Sequence, residues 1–339
     1  MKNFKAKILI LIFLIALFIV TIDTQANYQN WETIGGAGLI NGSFNNTFYS
    51  SLAIDSLDTP YIAFRDLANS NKATVMKFNG VDWELVGPAG FTQGEAMDIS
   101  LVISTSNIPY IAFKDTINKV TIMKFNGTDW ELVGQSGFTE DRIFSFYLAI
   151  DSQNTPYILH TIFPKKSTNF KIKSIIKKFN GTDWELLGQT GFPQGLSYSL
   201  SLKINNLNEP YIVYQNAEDL NQTIVKKFNG TEWELVGQAG FTQSSVYPLS
   251  LEINNLNEPY VLYPDGGNSN KATVMKFNGT DWEIVGQAGF TQGAISNFSF
   301  DINSLNIPYI AYTDSSGATV MKFNGTDWEI VGQAGFPTF

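Results

Sequence analysis

A run with the pattern aromatic-Asn-Gly-x-Asp/Glu-Trp-Glu recurs six times along this chain of 339 residues. The tryptophans of the six runs are Trp83, Trp130, Trp184, Trp233, Trp282 and Trp328, and a shorter form of the run surrounds Trp31. From Trp83 onward, successive tryptophans are 46 to 54 residues apart, a period of about 49. A period of this length indicates repeated structural units, none of which can bury its apolar face alone.

Each repeat predicts four β-strands. In the first repeat, residues 51–55 alternate apolar and polar side chains, and Pro60 opens a second apolar segment, a position where proline costs no ladder hydrogen bond. Asn79-Gly80 is a hairpin signal, because both positions accept positive φ. The predicted strands of this repeat cover residues 51–55, 61–64, 73–78 and 83–86.

The same order recurs in all six repeats, and no helical period persists between Asn27 and Phe339. We therefore predict an all-β, six-bladed β-propeller of four-stranded antiparallel blades. An open β-solenoid is the alternative, but solenoid coils are shorter and use parallel strands. The segment around Trp31 predicts one further strand, which competes with the Trp328 strand for the place that closes the ring.

The first 26 residues predict a signal peptide. Lys2, Lys5 and Lys7 precede an apolar segment over residues 8–22, and Thr24-Gln25-Ala26 is typical of a cleavage site. Residues 27–339 are then predicted to form a single propeller domain. A retained membrane anchor is the alternative. With cleavage after Ala26, the protein is expected to be a monomer that is secreted, periplasmic or held at the cell surface, with no membrane insertion.

Charge and cysteine content restrict the partners. The chain without residues 1–26 has 19 basic and 30 acidic residues, a net charge of −11. This charge argues against nucleic acid, since affinity for nucleic acid depends on neutralising phosphates. The chain contains no cysteine, so an exported fold must be stabilised by its core and not by disulfides.

The order Trp, Val-Gly, Gly-Phe, strand, Pro-Tyr-Ile-Ala-Phe, Lys-Phe-Asn-Gly resembles bacterial exported β-propeller repeats over the whole predicted domain. The chain is similar in part to Asp-box, Kelch and tachylectin-type propellers. Gly325 and Trp328 match the Asp-box, while Val285-Gly286 and Gly289-Phe290 approximate the tachylectin-type run. These resemblances imply a propeller that binds ligands through its loops.

Residue counts exclude two enzyme activities known for propellers. A sialidase needs three arginines to hold a carboxylate, and this chain has only Arg65 and Arg142. A galactose oxidase needs a cross-linked cysteine and histidine ligands for copper, but the chain has no cysteine and a single histidine, His160. We interpret His160, which replaces an aromatic residue of the second strand, as a satisfied core or channel-edge side chain.

The tryptophans admit two interpretations. They could stack on sugar rings, or they could pack against the neighbouring blade, where a repeated aromatic residue buries a large area. Because every repeat carries the tryptophan at the same place, we expect the packing role.

Turn aspartates are the candidate metal ligands. Aspartates follow the second strand in four repeats, and such oxygens suit calcium. The same residues also favour Asx turns, and none has the spacing of a calcium loop. We therefore expect no cofactor, with calcium as the alternative at Asp66, Asp115, Asp265 and Asp314.

Two groups of residues are the predicted ligand-binding sites. The loops that leave the fourth strands repeat a glutamine whose amide suits hydroxyl-rich ligands, and repeated sites would give multivalent binding. The third repeat departs from the others by a lysine cluster, which would suit an anionic partner. A plain connecting turn and a solvated loop are the structural alternatives. The residues are Gln93, Gln194, Gln243 and Gln292 in the loops, and Lys165, Lys166, Lys171 and Lys173 in the third repeat.

The sequence thus favours an exported, non-catalytic binding module that recognises a glycan or a protein partner through loops at blade junctions. One alternative is a carbohydrate-active hydrolase or lyase with carboxylates at the channel mouth, which needs a single pair of acids. Another is a structural component of the cell surface that acts in adhesion, favoured if the apolar segment is retained.

Overall fold

The structure is a computed structural model that describes residues 6–10, 18–22, 50–139, 143–162, 173–188, 197–216, 222–242 and 248–335. Within these ranges the chain forms β-strands and two short 3-10 helices, Leu67–Asn69 and Gly266–Asn268. No helix in the described ranges is long and apolar enough to cross a membrane. Two strands precede the repeats, β1 (Ala6–Ile10) and β2 (Phe18–Ile22), and pair antiparallel.

Six four-stranded antiparallel sheets follow, and we call them blades 1 to 6. Blades 1 to 3 consist of β3 (Ser50–Ile54), β4 (Pro60–Asp66), β5 (Lys72–Phe78), β6 (Trp83–Leu85); β7 (Met97–Ile103), β8 (Pro109–Lys114), β9 (Val120–Phe125), β10 (Trp130–Leu132); and β11 (Ile143–Ile150), β12 (Pro156–Ile162), β13 (Lys173–Phe179), β14 (Trp184–Leu186). Blades 4 to 6 consist of β15 (Ser197–Ile204), β16 (Pro210–Asn216), β17 (Gln222–Phe228), β18 (Trp233–Leu235); β19 (Ser250–Ile253), β20 (Pro259–Asp265), β21 (Lys271–Phe277), β22 (Trp282–Ile284); and β23 (Phe298–Ile302), β24 (Pro308–Asp314), β25 (Gly317–Phe323), β26 (Trp328–Ile330).

The four predicted strands of each repeat are confirmed, and proline is the first residue of every second strand. The predicted reason for the Asn-Gly hairpin was wrong in one respect. Phe78 pairs with Trp83, so the hairpin loop has four residues, and only Gly80 has a positive φ, of 101°. Asn79 contributes differently: its Oδ1 accepts the backbone N–H groups of Val81 and Asp82, at 3.0 and 2.9 Å. The asparagine therefore caps the turn with its side chain.

The chain divides into two compact units. We call residues 35–192, with blades 1 to 3, the first unit, and residues 1–34 with 193–339, with blades 4 to 6, the second unit. Within each unit the first strands of consecutive blades contact one another, β3 with β7 and β7 with β11, then β15 with β19 and β19 with β23. Each core cluster combines buried side chains from two consecutive blades, so the repeats are completed by their neighbours, as the period predicts.

A tryptophan closes each described boundary inside a unit. In the first unit, Trp130 stacks on Phe91, with ring centroids 4.4 Å apart, and its indole N–H donates to the carbonyl of Val86 at 2.8 Å. In the second unit, Trp282 stacks on Phe241 at 4.3 Å and donates to the Val236 carbonyl at 3.0 Å. The Phe138–Trp184 and Phe290–Trp328 boundaries repeat this arrangement. The packing role predicted for these tryptophans is confirmed.

The predictions for the N-terminal region lie largely outside the described residues. The cleavage site at Ala26 and the strand around Trp31 are in the undescribed part. The signal peptide over residues 1–26 and the single domain over residues 27–339 therefore stay predictions.

Candidate functional site

Three pockets of the same construction lie between consecutive blades of one unit. Pocket 1/2, between blades 1 and 2, has a volume of about 540 Å³. Pocket 2/3 and pocket 5/6, defined in the same way, have volumes of about 550 and 390 Å³. All three lie at the blade end that carries the turn between the first two strands and the Asn-Gly hairpin.

Equivalent positions of the repeat line each pocket. The preceding blade supplies a tyrosine near the start of its second strand, a lysine near the end of its third strand and a valine after its fourth. The following blade supplies an asparagine and a proline of its first turn, with the Phe-Asn-Gly of its hairpin. These sets are Tyr61, Lys77, Val86, Asn107, Pro109, Phe125, Asn126, Gly127; Tyr110, Lys124, Val133, Asn154, Pro156, Phe179, Asn180, Gly181; and Tyr260, Lys276, Val285, Asn306, Pro308, Phe323, Asn324, Gly325.

The local sequence fixes the polar groups of these pockets. In blade 2, Glu131 accepts from Asn126 Nδ2 at 3.3 Å and pairs with Lys124 at 3.2 Å. The hydrogen bond from Lys124 and then that from Asn126 lower the pKa of Glu131. Tyr110 is buried, and its hydroxyl donates to the Asn154 carbonyl at 3.3 Å. The carboxylate, ammonium and amide groups are thus fixed by their mutual contacts and lie beside apolar rings. Such a pocket suits a polar ligand with an apolar face.

The predicted glutamine loops lie at the opposite end of the blades. Phe91 N donates to the Ala73 carbonyl at 3.1 Å and Thr92 Oγ1 to the Gly94 carbonyl at 2.7 Å, which pins the loop to β5. Gln93 and Gln292 are exposed, and neither lines one of the three pockets. Gln194 and Gln243 lie outside the described residues.

The lysine cluster is described only in part. Lys165, Lys166 and Lys171 lie outside the described residues, whereas Lys173 begins β13 and is exposed. Farther along β13, Lys177 Nζ lies 5.7 Å from the centre of the Phe138 ring, and Lys178 Nζ lies 5.4 Å from that of Tyr157. The lysine cluster therefore stays a prediction.

The four candidate metal ligands act as turn caps. Asp66 accepts from Ala68 N at 3.0 Å, Asn69 Nδ2 at 2.8 Å and Thr74 Oγ1 at 2.7 Å. Asp265 caps its turn in the same way, and Asp115 and Asp314 accept from backbone N–H groups of their own turns. Within the described ranges, no group of three or more metal-binding side chains comes together. The Asx turns that the sequence offered as the alternative are present.

His160 is a core residue, as predicted, but it is not satisfied. Its side chain is 1% exposed, and burial, with Lys177 adding to it, lowers its pKa to about 3. Its Nδ1 and the nearby Ser174 Oγ have no hydrogen-bond partner in the described part of the chain. The histidine is therefore neutral and enclosed.

A charged row on the first strands was missed by the sequence prediction. Lys203, Glu252 and Asp301 occupy the same position of β15, β19 and β23, since each pairs with the tyrosine of its second strand. Lys203 Nζ lies 2.6 Å from Glu252 Oε1. Burial raises the pKa of Glu252 to about 7, with Lys203 opposing and Asp301 adding to the rise. Aligning the repeats at this position would have revealed the row, because Ala53, Val102 and Ala149 stand there in blades 1 to 3.

Comparison with known proteins identifies the fold. A solved structure of a lectin from Aleuria aurantia, described as a six-bladed β-propeller with a novel fucose recognition mode, is similar at a TM-score of 0.56 and 13% identity, covering 85% of this chain and 96% of the lectin. This chain is a six-bladed β-propeller. The predicted fold class and the resemblance to a propeller repeat protein are confirmed.

Two further solved structures are similar to this propeller. AofleA from Arthrobotrys oligospora has a TM-score of 0.53 and 13% identity, covering 84% of this chain and 87% of its own. The lectin SapL1, solved with alpha methyl fucoside, has a TM-score of 0.53 and 14% identity, covering 84% of this chain and 95% of its own. No protein-family model matches the sequence, and no curated protein matches it.

Proposed function

We propose that this propeller is a non-catalytic carbohydrate-binding module whose ligands occupy the pockets between consecutive blades. The observation that carries the proposal is the recurrence of one lining, built from equivalent repeat positions, in pockets 1/2, 2/3 and 5/6. Two of the similar solved structures are lectins described with fucose or a fucoside, which supports a glycan as the ligand class.

The chemistry of the pockets suits a sugar. Proline, valine and phenylalanine provide an apolar wall for the C–H face of a pyranose ring, while lysine, asparagine and glutamate offer donors and acceptors for hydroxyl groups. Because the side chains are held by their own turns, binding does not have to order them. Several equivalent pockets on one chain would bind a repeated or branched glycan with avidity.

The test is a glycan array probed with the purified protein, followed by titration of the best ligand. Lys124 lines both pocket 1/2 and pocket 2/3, so Lys124→Ala should weaken binding by about tenfold. Lys322→Ala is the matched control, because Lys322 holds the same repeat position in blade 6 but lines none of the three pockets.

Two results would contradict the proposal. If no glycan on the array binds, a carbohydrate is not the ligand and the search turns to protein partners. Binding that is unaffected by Lys124→Ala but lost in Gln93→Ala and Gln292→Ala would move the site to the loops at the opposite end of the blades.

A hydrolase is the second candidate, and one observation favours it. Glu252 and Asp301 are two acids on adjacent first strands, and a carboxyl with a pKa of about 7 suits a general acid. Release of reducing ends from a polysaccharide panel by the wild type, abolished in Glu252→Gln, would support hydrolysis.

Export remains a proposal that rests on residues 1–26. Mass determination of the protein recovered from its native host would test it, since cleavage after Ala26 predicts a chain beginning at Asn27.

A further inference from the structure

The lysine that the preceding blade contributes to each pocket has different carboxylate partners in blade 5 than in blades 1 and 2. In blade 1, Lys77 pairs with Glu84 at 3.2 Å, and in blade 2, Lys124 pairs with Glu131 at 3.2 Å. In blade 5, Lys276 is shared between two carboxylates, Glu258 at 3.5 Å and Glu283 at 3.6 Å. The linings of pockets 1/2 and 2/3 also include the lysine of the following blade, Lys124 or Lys178, whereas pocket 5/6 is lined by Lys276 with a second acid beside it.

The additional acid is held in place by its turn. Glu258 precedes the first proline of blade 5, and its Oε2 accepts from Asn254 Nδ2 at 2.6 Å. Blade 4 repeats the device, with Asn205 Nδ2 2.7 Å from Glu209 Oε2 and Lys227 Nζ 3.1 Å from Glu209 Oε1. Blades 1 and 2 carry Thr59 and Ile108 at this position. The acid is thus held by its own turn in blades 4 and 5, while blade 6 carries Ile307 at this position.

Glu258 competes with Glu283 for Lys276, so the charge of Glu283 is less fully neutralised. Glu283 lines pocket 5/6 and its side chain is 50% exposed. Glu283 shares its lysine with Glu258 and lies 3.6 Å from it, whereas Glu84 and Glu131 each lie 3.2 Å from theirs. A carboxylate that is only partly neutralised keeps acceptor capacity for a ligand, and it prefers a cationic donor.

We propose that pocket 5/6 selects sugars that carry a protonated amine, with Glu283 contacting the ammonium group and Glu258 acting as a positioning residue that draws Lys276 away. This inference rests on the proposed function, since it names the ligand class of one of the same pockets. The net charge of −9 for the chain adds a favourable long-range field for such ligands.

The experiment compares two sugar pairs that differ at one group, methyl glucosaminide with methyl glucoside and methyl galactosaminide with methyl galactoside. Binding is measured by calorimetry at about pH 6, where a sugar amine is protonated. The wild type should bind one of the amines about two- to fivefold more tightly than its hydroxyl counterpart. The preference should vanish at about 0.5 M salt, since the contact is solvent-accessible.

Four variants separate the local contact from overall charge. Glu283→Gln removes the contacting carboxylate, and Glu258→Thr introduces the residue of blade 1; in both variants the amine and its hydroxyl counterpart should bind with the same affinity. Glu329→Gln removes the same charge in blade 6, where Glu329 pairs with Lys322 at 3.1 Å, and should keep the preference. Thr59→Glu combined with Asp55→Asn, which supplies the amide that holds the acid in blade 5, should extend the preference to pocket 1/2.

Equal or weaker binding of both amines by the wild type overturns the inference, as does a preference that survives Glu258→Thr combined with Glu283→Gln. If the array identifies neutral glycans but none of the four probes binds, this inference fails and the proposed function stands. If the array is also blank, both fail.

Discussion

The first strands of the two units follow the same register but differ in the side chains they present at one position. In the first unit this position holds Ala53, Val102 and Ala149, and in the second unit Lys203, Glu252 and Asp301. Both rows lie on contacting strands of consecutive blades, so the backbone tolerates either choice. The difference shows that the repeat fixes the blade and leaves this position free for other roles.

The largest effect should come from what the units share. Trp130→Ala in the first unit and Trp282→Ala in the second should each lower the free energy of unfolding by about 3–5 kcal/mol, because each indole fills a boundary and donates a buried hydrogen bond. Denaturant unfolding followed by circular dichroism measures both losses. A loss confined to one unit would show that the boundaries are not equivalent.

A glycine beside the tryptophan should give the next largest effect. Gly237 has a φ of 70°, and a Cβ there would lie 2.8 Å from Trp282 Nε1, so Gly237→Ala should cost about 2–3 kcal/mol. Gly230→Ala is the matched control, since Gly230 also has a positive φ, of 98°, but nothing within 4 Å of its Cβ. Equal thermal destabilisation of the two variants would mean that backbone strain, and not the contact with the indole, sets the cost.

Conversion of the charged row into the apolar row tests the comparison directly. Lys203→Ala alone should destabilise the protein by about 1–2 kcal/mol, because it leaves Glu252 and Asp301 without their counter-charge. Changing all three to the residues of the first unit, with Lys203→Ala, Glu252→Val and Asp301→Ala, should restore the stability. Chemical denaturation measures the free energy of unfolding of the single and triple variants. A triple variant that is less stable than the single one would assign the row a structural role.

The smallest expected effect is a pH dependence confined to the second unit. The folded-state pKa of Glu252, about 7, exceeds its ordinary value of 4.5, so the folded protein retains a proton that the unfolded chain releases. Stability should therefore fall by about 1–2 kcal/mol as the pH rises from about 4.5 to about 7, and Glu252→Gln should remove most of the fall. Melting temperatures across this range measure it. Parallel profiles for the two proteins would mean that Glu252 is already ionised in the fold.

The fold could be predicted from sequence because its determinants are local and repeated. Alternation in residues 51–55, proline at Pro60 and the Asn-Gly pair each specify one strand or turn, and six copies remove the ambiguity of one. The role of Asn79 was misassigned because a cap and a left-handed residue have the same sequence signature. Hydrogen-bond geometry alone separates them.

The candidate site was harder to predict, because its parts are distant in sequence. Tyr110, Lys124 and Pro156 line one pocket although two blades supply them. In the sequence each of them serves only to assign a strand or a turn, so nothing there indicates that they share a pocket. Gln93 was predicted instead because its amide suits hydroxyl-rich ligands and recurs in the loops that leave the fourth strands. The row of Lys203, Glu252 and Asp301 could have been found by comparing repeats position by position.

The stack of phenylalanine on tryptophan also bears on how such a chain can grow or shrink. The loop leaving blade 4 supplies Phe241 and the Val236 carbonyl, while the indole that meets them, Trp282, comes from blade 5. A segment that runs from any point of one repeat to the same point of the next contains one loop phenylalanine and one tryptophan. Duplication or loss of such a segment leaves every joint matched, wherever the breakpoints fall. An insertion or deletion of any other length would leave a phenylalanine or a tryptophan without its stacking partner. We therefore expect this sequence to change in length by whole repeats.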